Sequence, residues 1–248
     1  GGNPTPWLLE NLPGQPYGPK LASDGKGYAV TWYQHDGTAY SIFANIFSAG
    51  TWSSSGTLLE SNDQSASEPS ITSNGTGYAA AWYQYDSAAY RIYANIYSNG
   101  TWSLNGTLIE NIGTNAVNAP VIASNGDGYA VAWAQENGAS SIYANVYSAG
   151  TWSAAPALLE KEGGGAFAPS ITSNGSGYAV AWMQYDGSNI PSIYANTYAS
   201  GTWLMSGIEP APLLLETDSD NAASVVITSN GNKYSAIWAL ADPSDPLA

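Results

Sequence analysis

Nineteen carboxylates face five basic side chains and a single histidine in this 248-residue chain, and their spacing limits the chemistry they could perform. Glu10, Glu60, Glu110, Glu160 and Glu216 all end the same Leu-Leu/Ile-Glu phrase. Cleaving a glycosidic bond needs two carboxylates in unlike settings, one as acid and the other as base or nucleophile. Copies of one carboxylate in one setting read instead as an architectural habit, an end-of-strand hydrogen bond. A second set, Asp36, Asp86 and Asp186, has Glu136-Asn137 at the equivalent place of the remaining copy. These read as loop-turn formers. Ser-His-Asp chemistry would rest on His35 alone, in a loop without a counterpart. No catalytic residue is assigned, and the expectation is a protein that is not an enzyme.

Metal chemistry is as poorly supplied. One histidine and no cysteine leave zinc without a ligand set. There is no Asp-x-Asp-x-Asp loop either, so a structural Ca²⁺ on the acidic loops is the one cofactor left open, and otherwise none is expected. The five cations are Lys20, Lys26, Arg91, Lys161 and Lys233, and the formal charge is −14. That balance argues against nucleic acid or anionic lipid as partner. With only 10% charged residues, solubility rests on Ser, Thr, Asn, Gln and Tyr, a composition common on secreted and cell-surface proteins. The apolar runs are a few residues long, so membrane insertion is not expected. The opening Gly1 to Trp7 reads as a mature or trimmed end rather than a signal peptide.

The elements that hold these residues form a repeat. GYAVTWYQ at Gly27 returns at Gly77, Gly128, Gly177 and, as KYSAIWAL, at Lys233, in steps of 50, 51, 49 and 56 residues. Each copy offers four segments of strand composition: A (Ser70–Thr72 in the second copy), B (Tyr78–Gln84), C (Arg91–Tyr97) and D (Thr101–Glu110). No window has a helical apolar period. A and B are joined through Asn-Gly or Asp-Gly, which predicts a type I′ hairpin there, and C and D through a second tight Gly turn. Strand B alternates Tyr78, Ala80, Trp82 and Gln84 with Ala79, Ala81 and Tyr83, which predicts a bulky face resting on a small face of the next sheet. Of the ten tryptophans, those of strand B are expected in the interblade core and those opening strand D at partial exposure.

The expected fold is therefore all-β: a five-bladed β-propeller of ~50-residue four-stranded repeats. One domain spans residues 1–248, with repeats at approximately 19–60, 69–110, 120–160, 169–216 and 225–240. The I-Y/F-A-N segment of strand C occurs four times, at Ile42, Ile92, Ile142 and Ile193, so the fifth blade is incomplete. The N-terminal strand 7–10, Trp7-Leu8-Leu9-Glu10, is expected to complete it and close the ring.

The order P-x-I-x-S-N-G-x-G-Y-A-V-A-W-x-Q, I-Y-A-N-x-Y, G-T-W, L-L/I-E resembles a repeat of large bacterial exported and surface proteins, over residues 8 to 240. There it often reads NIWANRY followed by GW and LIE. The resemblance implies a bacterial, extracellular, sialidase-like blade without the Asp-box. The fifth copy departs from it at Lys233 and Leu240.

Because strands alternate in direction, the B–C and D–A loops share one face, where the variable segments lie. Candidate ligand-binding residues there are His35, Asp36, Tyr40, Tyr85, Asp86, Tyr90, Glu136, Asn137, Tyr185 and Asp186. The function expected is a secreted, non-enzymatic, lectin-like module for glycans or cell-surface polymers. The alternative is a structural or adhesive segment of a larger bacterial surface protein, self-associating through the incomplete blade.

Overall fold

The computed structural model describes the chain except residues 1–5, 11, 62, 118, 162–163, 207–208, 217–220 and 242–248. Four antiparallel sheets of one design follow each other along the sequence. In sheet 2, strand A is Ala66–Ser73, B is Tyr78–Tyr85 and C is Tyr90–Ser98, and strand D is broken into Thr101–Trp102 and Thr107–Leu108, both pairing C. Sheet 1 starts at Pro16, sheet 3 at Val121 and sheet 4 at Ala166, each in the same order. A fifth sheet holds Ala222–Ser229 and Tyr234–Leu240. The longer last step in the repeat has a local cause, an extra hairpin pairing Met205–Ser206 with Glu209–Pro210 in the fourth repeat.

The large-on-small stacking is as read. Ala80 and Trp82 of sheet 2 pack on Ile42 and Ala44 of sheet 1, and Val131, Trp133 and Tyr143 of sheet 3 pack on Ala81, Ile92 and Ala94 of sheet 2. Trp82, Trp133 and Trp182 are fully buried and Trp52, Trp102 and Trp152 on strand D are half-buried, as read, whereas Trp203 departs from the expectation and is buried against Val146 and Ala144 of sheet 3.

The recurring glutamates do more than end a strand. Trp82 Nε1 donates to Gln84 Oε1 at 3.1 Å, and Gln84 Nε2 donates to Glu60 Oε2 of the preceding repeat at 3.0 Å. The same relay links Trp32, Gln34 and Glu10, then Trp133, Gln135 and Glu110, then Trp182, Gln184 and Glu160. The Gln–Glu bonds cross between repeats and, except at the half-buried Glu10, join buried groups, and buried polar atoms are costly unless paired. In the fifth copy Leu240 stands where the glutamine belongs, and Glu216 Oε2 is left buried without a hydrogen-bond partner.

The asparagine of the IYAN segment adds a second link. Asn95 Nδ2 donates to Leu59 O of the preceding repeat at 2.8 Å and to Ser103 O in the break of its own strand D at 3.0 Å. The break therefore has a fixed partner, which the uninterrupted strand D read from sequence did not foresee.

The turns are exchanged relative to expectation. At A–B, Gly75 takes φ +85° but Asn74 does not take a positive φ; its Oδ1 instead accepts from Thr76 N and Gly77 N, an Asx turn. Both central residues have positive φ at C–D, in Ala49-Gly50, Asn99-Gly100, Ala149-Gly150 and Ser200-Gly201, as type I′ demands. The second A–B glycine has a packing reason: a Cβ on Gly77 would strike Tyr97 O on strand C. Lys233 replaces that glycine in the copy that, among the described residues, has no strand C to strike.

The expected clasp is also corrected. Residues 6–10 form no strand, and Leu9 and Leu12 cover Val30, Trp32 and Phe43 of sheet 1, while Leu9 O accepts from Asn45 Nδ2. The segment stands to sheet 1 as Leu59 and Glu60 stand to sheet 2. Among the described residues the strands of sheet 5 pair only with each other, and Ile237 is 71% exposed.

Two stability outcomes follow from these contacts. Gln84→Leu deprives Trp82 of its acceptor and Glu60 of a donor, and should cost about 2–4 kcal/mol in urea unfolding. Ala149→Asn, which installs the residue already found at position 99, should relieve αL strain and add up to about 1 kcal/mol. A fall in stability for the second variant would refute the turn assignment.

Candidate functional site

The B–C loops gather the predicted residues repeat by repeat but occupy their carboxylates. Asp36 Oδ1 accepts from Thr38 N and Ala39 N, and its Oδ2 from the Ser41 hydroxyl. Those bonds, the Thr38 N–H foremost, hold its carboxyl below the ordinary value. Asp86 repeats the turn with Ala88 and Ala89, and Asp186 with Ser188 and Ile190. Arg91 adds an ion pair, 2.8 Å from Asp86 and also bonded to Glu110. Glu136 lies exposed and accepts from Asn115. Asn137 ends strand B of sheet 3, its side chain lying outside the described residues.

The predicted aromatic residues meet each other unequally. In sheet 1, Tyr40 packs edge-on to His35 at 5.4 Å and Tyr33 at 5.8 Å, and Tyr17 stacks on Tyr33 at 5.6 Å. In sheet 2, Tyr90 meets Tyr83 at 5.3 Å and Tyr85 at 5.4 Å. Sheet 4 retains Tyr185 against Phe167 at 6.4 Å, while sheet 3 has Ala134 and Glu136 on the corresponding stretch. The loop face is thus a graded aromatic patch and not a set of equivalent sites.

Equivalent sites exist elsewhere, where the broken strand D leaves a gap between neighbouring sheets. Between sheets 1 and 2 a groove of about 500 Å³ has Tyr97 and Trp102 on one wall and Ile46, Ser53, Thr57 and Leu58 on the other. Its counterpart between sheets 2 and 3, about 440 Å³, has Tyr147 and Trp152 facing Ile96, Ser103, Thr107 and Leu108. A third, about 280 Å³, sets Tyr198 and Trp203 opposite Val146, Ser153 and Ala157. The first two volumes fall within the ~300–1,000 Å³ usual for ligand pockets and the third just below. The aromatic pair is reproduced closely: Tyr97–Trp102 at 5.4 Å and 59°, Tyr147–Trp152 at 5.3 Å and 60°, Tyr198–Trp203 at 5.3 Å and 60°.

Reading the sequence placed these tryptophans on the outer strand at partial exposure but did not name them as a site. The available signal was G-T-W following N-x-Y at constant spacing, which ties a Trp to a Tyr across a tight turn. The pairing became a groove only because strand D breaks.

Among the described residues, no Asp, Glu, Lys, Arg or His lines any of the three grooves. Such a surface offers flat apolar rings, hydroxyls and backbone edges, and is suited to an uncharged, hydroxyl-rich ligand. With no carboxylate, imidazole or amine among the described residues that line the grooves, any ligand held there should bind with an affinity flat between about pH 5 and 9. Titration calorimetry across that range checks it; a strongly pH-dependent affinity would move the site to the loop face.

Comparison with known proteins shows likeness of fold. No family model matches the chain, nor does any curated protein. Among solved structures, the GH93 alpha-L-arabinofuranosidase of Fusarium graminearum aligns with 91% of this chain and 74% of its own, at 11% identity and a TM-score of 0.52. Trypanosoma rangeli sialidase aligns with 94% of this chain and 54% of its own, at 8% identity and a TM-score of 0.48. A glycosyl hydrolase from Bacteroides ovatus aligns with 95% and 86%, at 12% identity and a TM-score of 0.44. The likeness to the arabinofuranosidase corrects the expectation that the chain is no enzyme, since the architecture it shares is one on which a glycoside hydrolase is built. The chain has the repeated four-stranded sheets of a propeller-like architecture and is similar in fold to carbohydrate-active proteins.

Proposed function

We propose that the protein binds carbohydrate, in an extracellular setting, through the grooves between its sheets. One observation carries the reading: three grooves of one design, each joining a Tyr–Trp pair to hydroxyls, are free of charged side chains among the described residues in a chain of net charge −14. Aromatic faces stack on sugar rings and hydroxyls bond their edges, while the negative net charge of the chain disfavours acidic glycans. The fold is shared with an arabinofuranosidase solved with arabinobiose, which puts arabino-oligosaccharides first among the probes.

A glycan array followed by calorimetry tests this. Neutral glycans are expected to bind, and Trp152→Ala to disable the middle groove, lowering the number of short-glycan sites seen by calorimetry while the other two grooves still bind. Tyr90→Ala is the comparison. If it alone abolishes binding, the site is the loop-face set at Tyr85, Asp86 and Tyr90; if no glycan binds at millimolar concentration, the reading falls.

A second reading is favoured by sheet 5, where Val226, Ile237 and Leu240 are exposed and the Tyr234–Leu240 strand has one partner among the described residues. An uncovered face beside an open edge supports self-association. Light scattering over a concentration series should then show a mass that rises with concentration, lowered by Ile237→Lys; a constant monomer mass removes this reading.

A further inference from the structure

We infer that the three grooves work in series and hold one linear, neutral polysaccharide running along the broken outer strands; this rests on carbohydrate binding in the single grooves. Continuity is the first argument. Ser103 lines both the groove between sheets 1 and 2 and the one between sheets 2 and 3, and Ser153 lines both the latter and the groove between sheets 3 and 4. Each broken strand D is therefore a wall common to two grooves, so a ligand leaving one passes over a short serine-bearing crest into the next.

The second argument is periodicity. The Tyr–Trp pair recurs with its separation kept within 5.3–5.4 Å and its ring angle within 59–60°. A protein that presents one chemical unit at regular intervals matches a ligand that does the same. Face-to-face sheets lie roughly 10 Å apart, more where they fan outward, so one disaccharide addresses one groove and a longer chain is needed to reach the next.

The third argument is the class of polymer. With no charged residue among the described residues of the groove walls and a chain of net charge −14, a polyuronate or sialylated chain meets net repulsion with no groove cation to offset it. An extended polypeptide is disfavoured for a different reason. Its affinity would come from pairing with a sheet edge, and each piece of strand D in these sheets is two residues long, with a break between. A neutral polysaccharide, which needs rings and hydroxyls but no ladder, fits both facts.

The test is a chain-length series on the full chain by calorimetry, using arabino-, xylo- and cello-oligosaccharides from disaccharide to hexasaccharide, the parent polymers, and polygalacturonate as the charged control. For the sugar that binds, the polymer is expected to bind about a hundredfold more tightly than its disaccharide, since linked sites add effective concentration. Ala154→Glu, on an exposed turn residue of the middle groove, should remove most of that gain while the outer grooves still take the disaccharide. Leu104→Glu, at a residue 90% exposed in the first groove, should cut the gain less. Unchanged melting temperatures would show that both variants fold. Equal affinity for disaccharide and polymer would overturn the series arrangement and leave single-groove binding standing. Preference for polygalacturonate would overturn the polymer class, and failure of every neutral probe would overturn both this inference and the function on which it rests.

Discussion

The hydrogen bond from Gln84 to Glu60, together with its equivalents at the other junctions, is the constraint on which the rest of the molecule depends. A carboxylate has been placed in an apolar junction between sheets, where its cost is met by a glutamine that is itself held by a buried indole N–H. The geometry admits little slippage. A sheet displaced by one residue would turn the glutamine and tryptophan to the opposite face and strand the carboxylate. The relay therefore sets the registry of each sheet on its predecessor. The bulky-on-small packing supplies the bulk of the contact.

The grooves are a by-product of the same registry. With the sheets locked near their inner and middle strands, and the outer strand pinned at its break by Asn45, Asn95 and Asn145, the rims cannot close. The gap is lined by what the C–D turn presents, a Tyr and a Trp held at a fixed tilt by a two-residue turn of positive φ. A rigid scaffold thus presents aromatic side chains at its edge with little conformational entropy left to lose on binding.

The repeat, the four-strand order and the stacking of large on small faces were legible because each rests on local alternation and spacing. Trp82 and Ala81 declare opposite faces of strand B without any knowledge of their neighbours. What was not legible depends on contacts distant in sequence. That Glu60 serves the following sheet, across 24 residues, cannot be read from an L-L-E phrase. The type I′ turns were misplaced because Asn-Gly is compatible with both an Asx turn and a type I′ turn. Backbone strain at Ala49 and Ala149 is tolerated where strand twist demands it. The candidate site failed similarly: Asp36, Asp86 and Asp186 are polar loop residues, but Oδ1 of each is spent on its own turn. The groove tryptophans belong to a regular strand whose interruption no propensity announces.

The Leu240 substitution has a consequence for how the array comes apart. Where stability is distributed as a sum over units and junctions, the order of melting follows the weakest junction. The junction between sheets 4 and 5 retains apolar packing through Val225, Ile227 and Trp238 but lacks the amide that elsewhere satisfies the buried carboxylate. Fraying then has a direction, beginning at the C-terminal sheet and meeting its first full barrier at the next junction inward. The array is in this sense polarised, its junctions tied by an amide among sheets 1 to 4 and held by apolar packing without that amide at sheet 5.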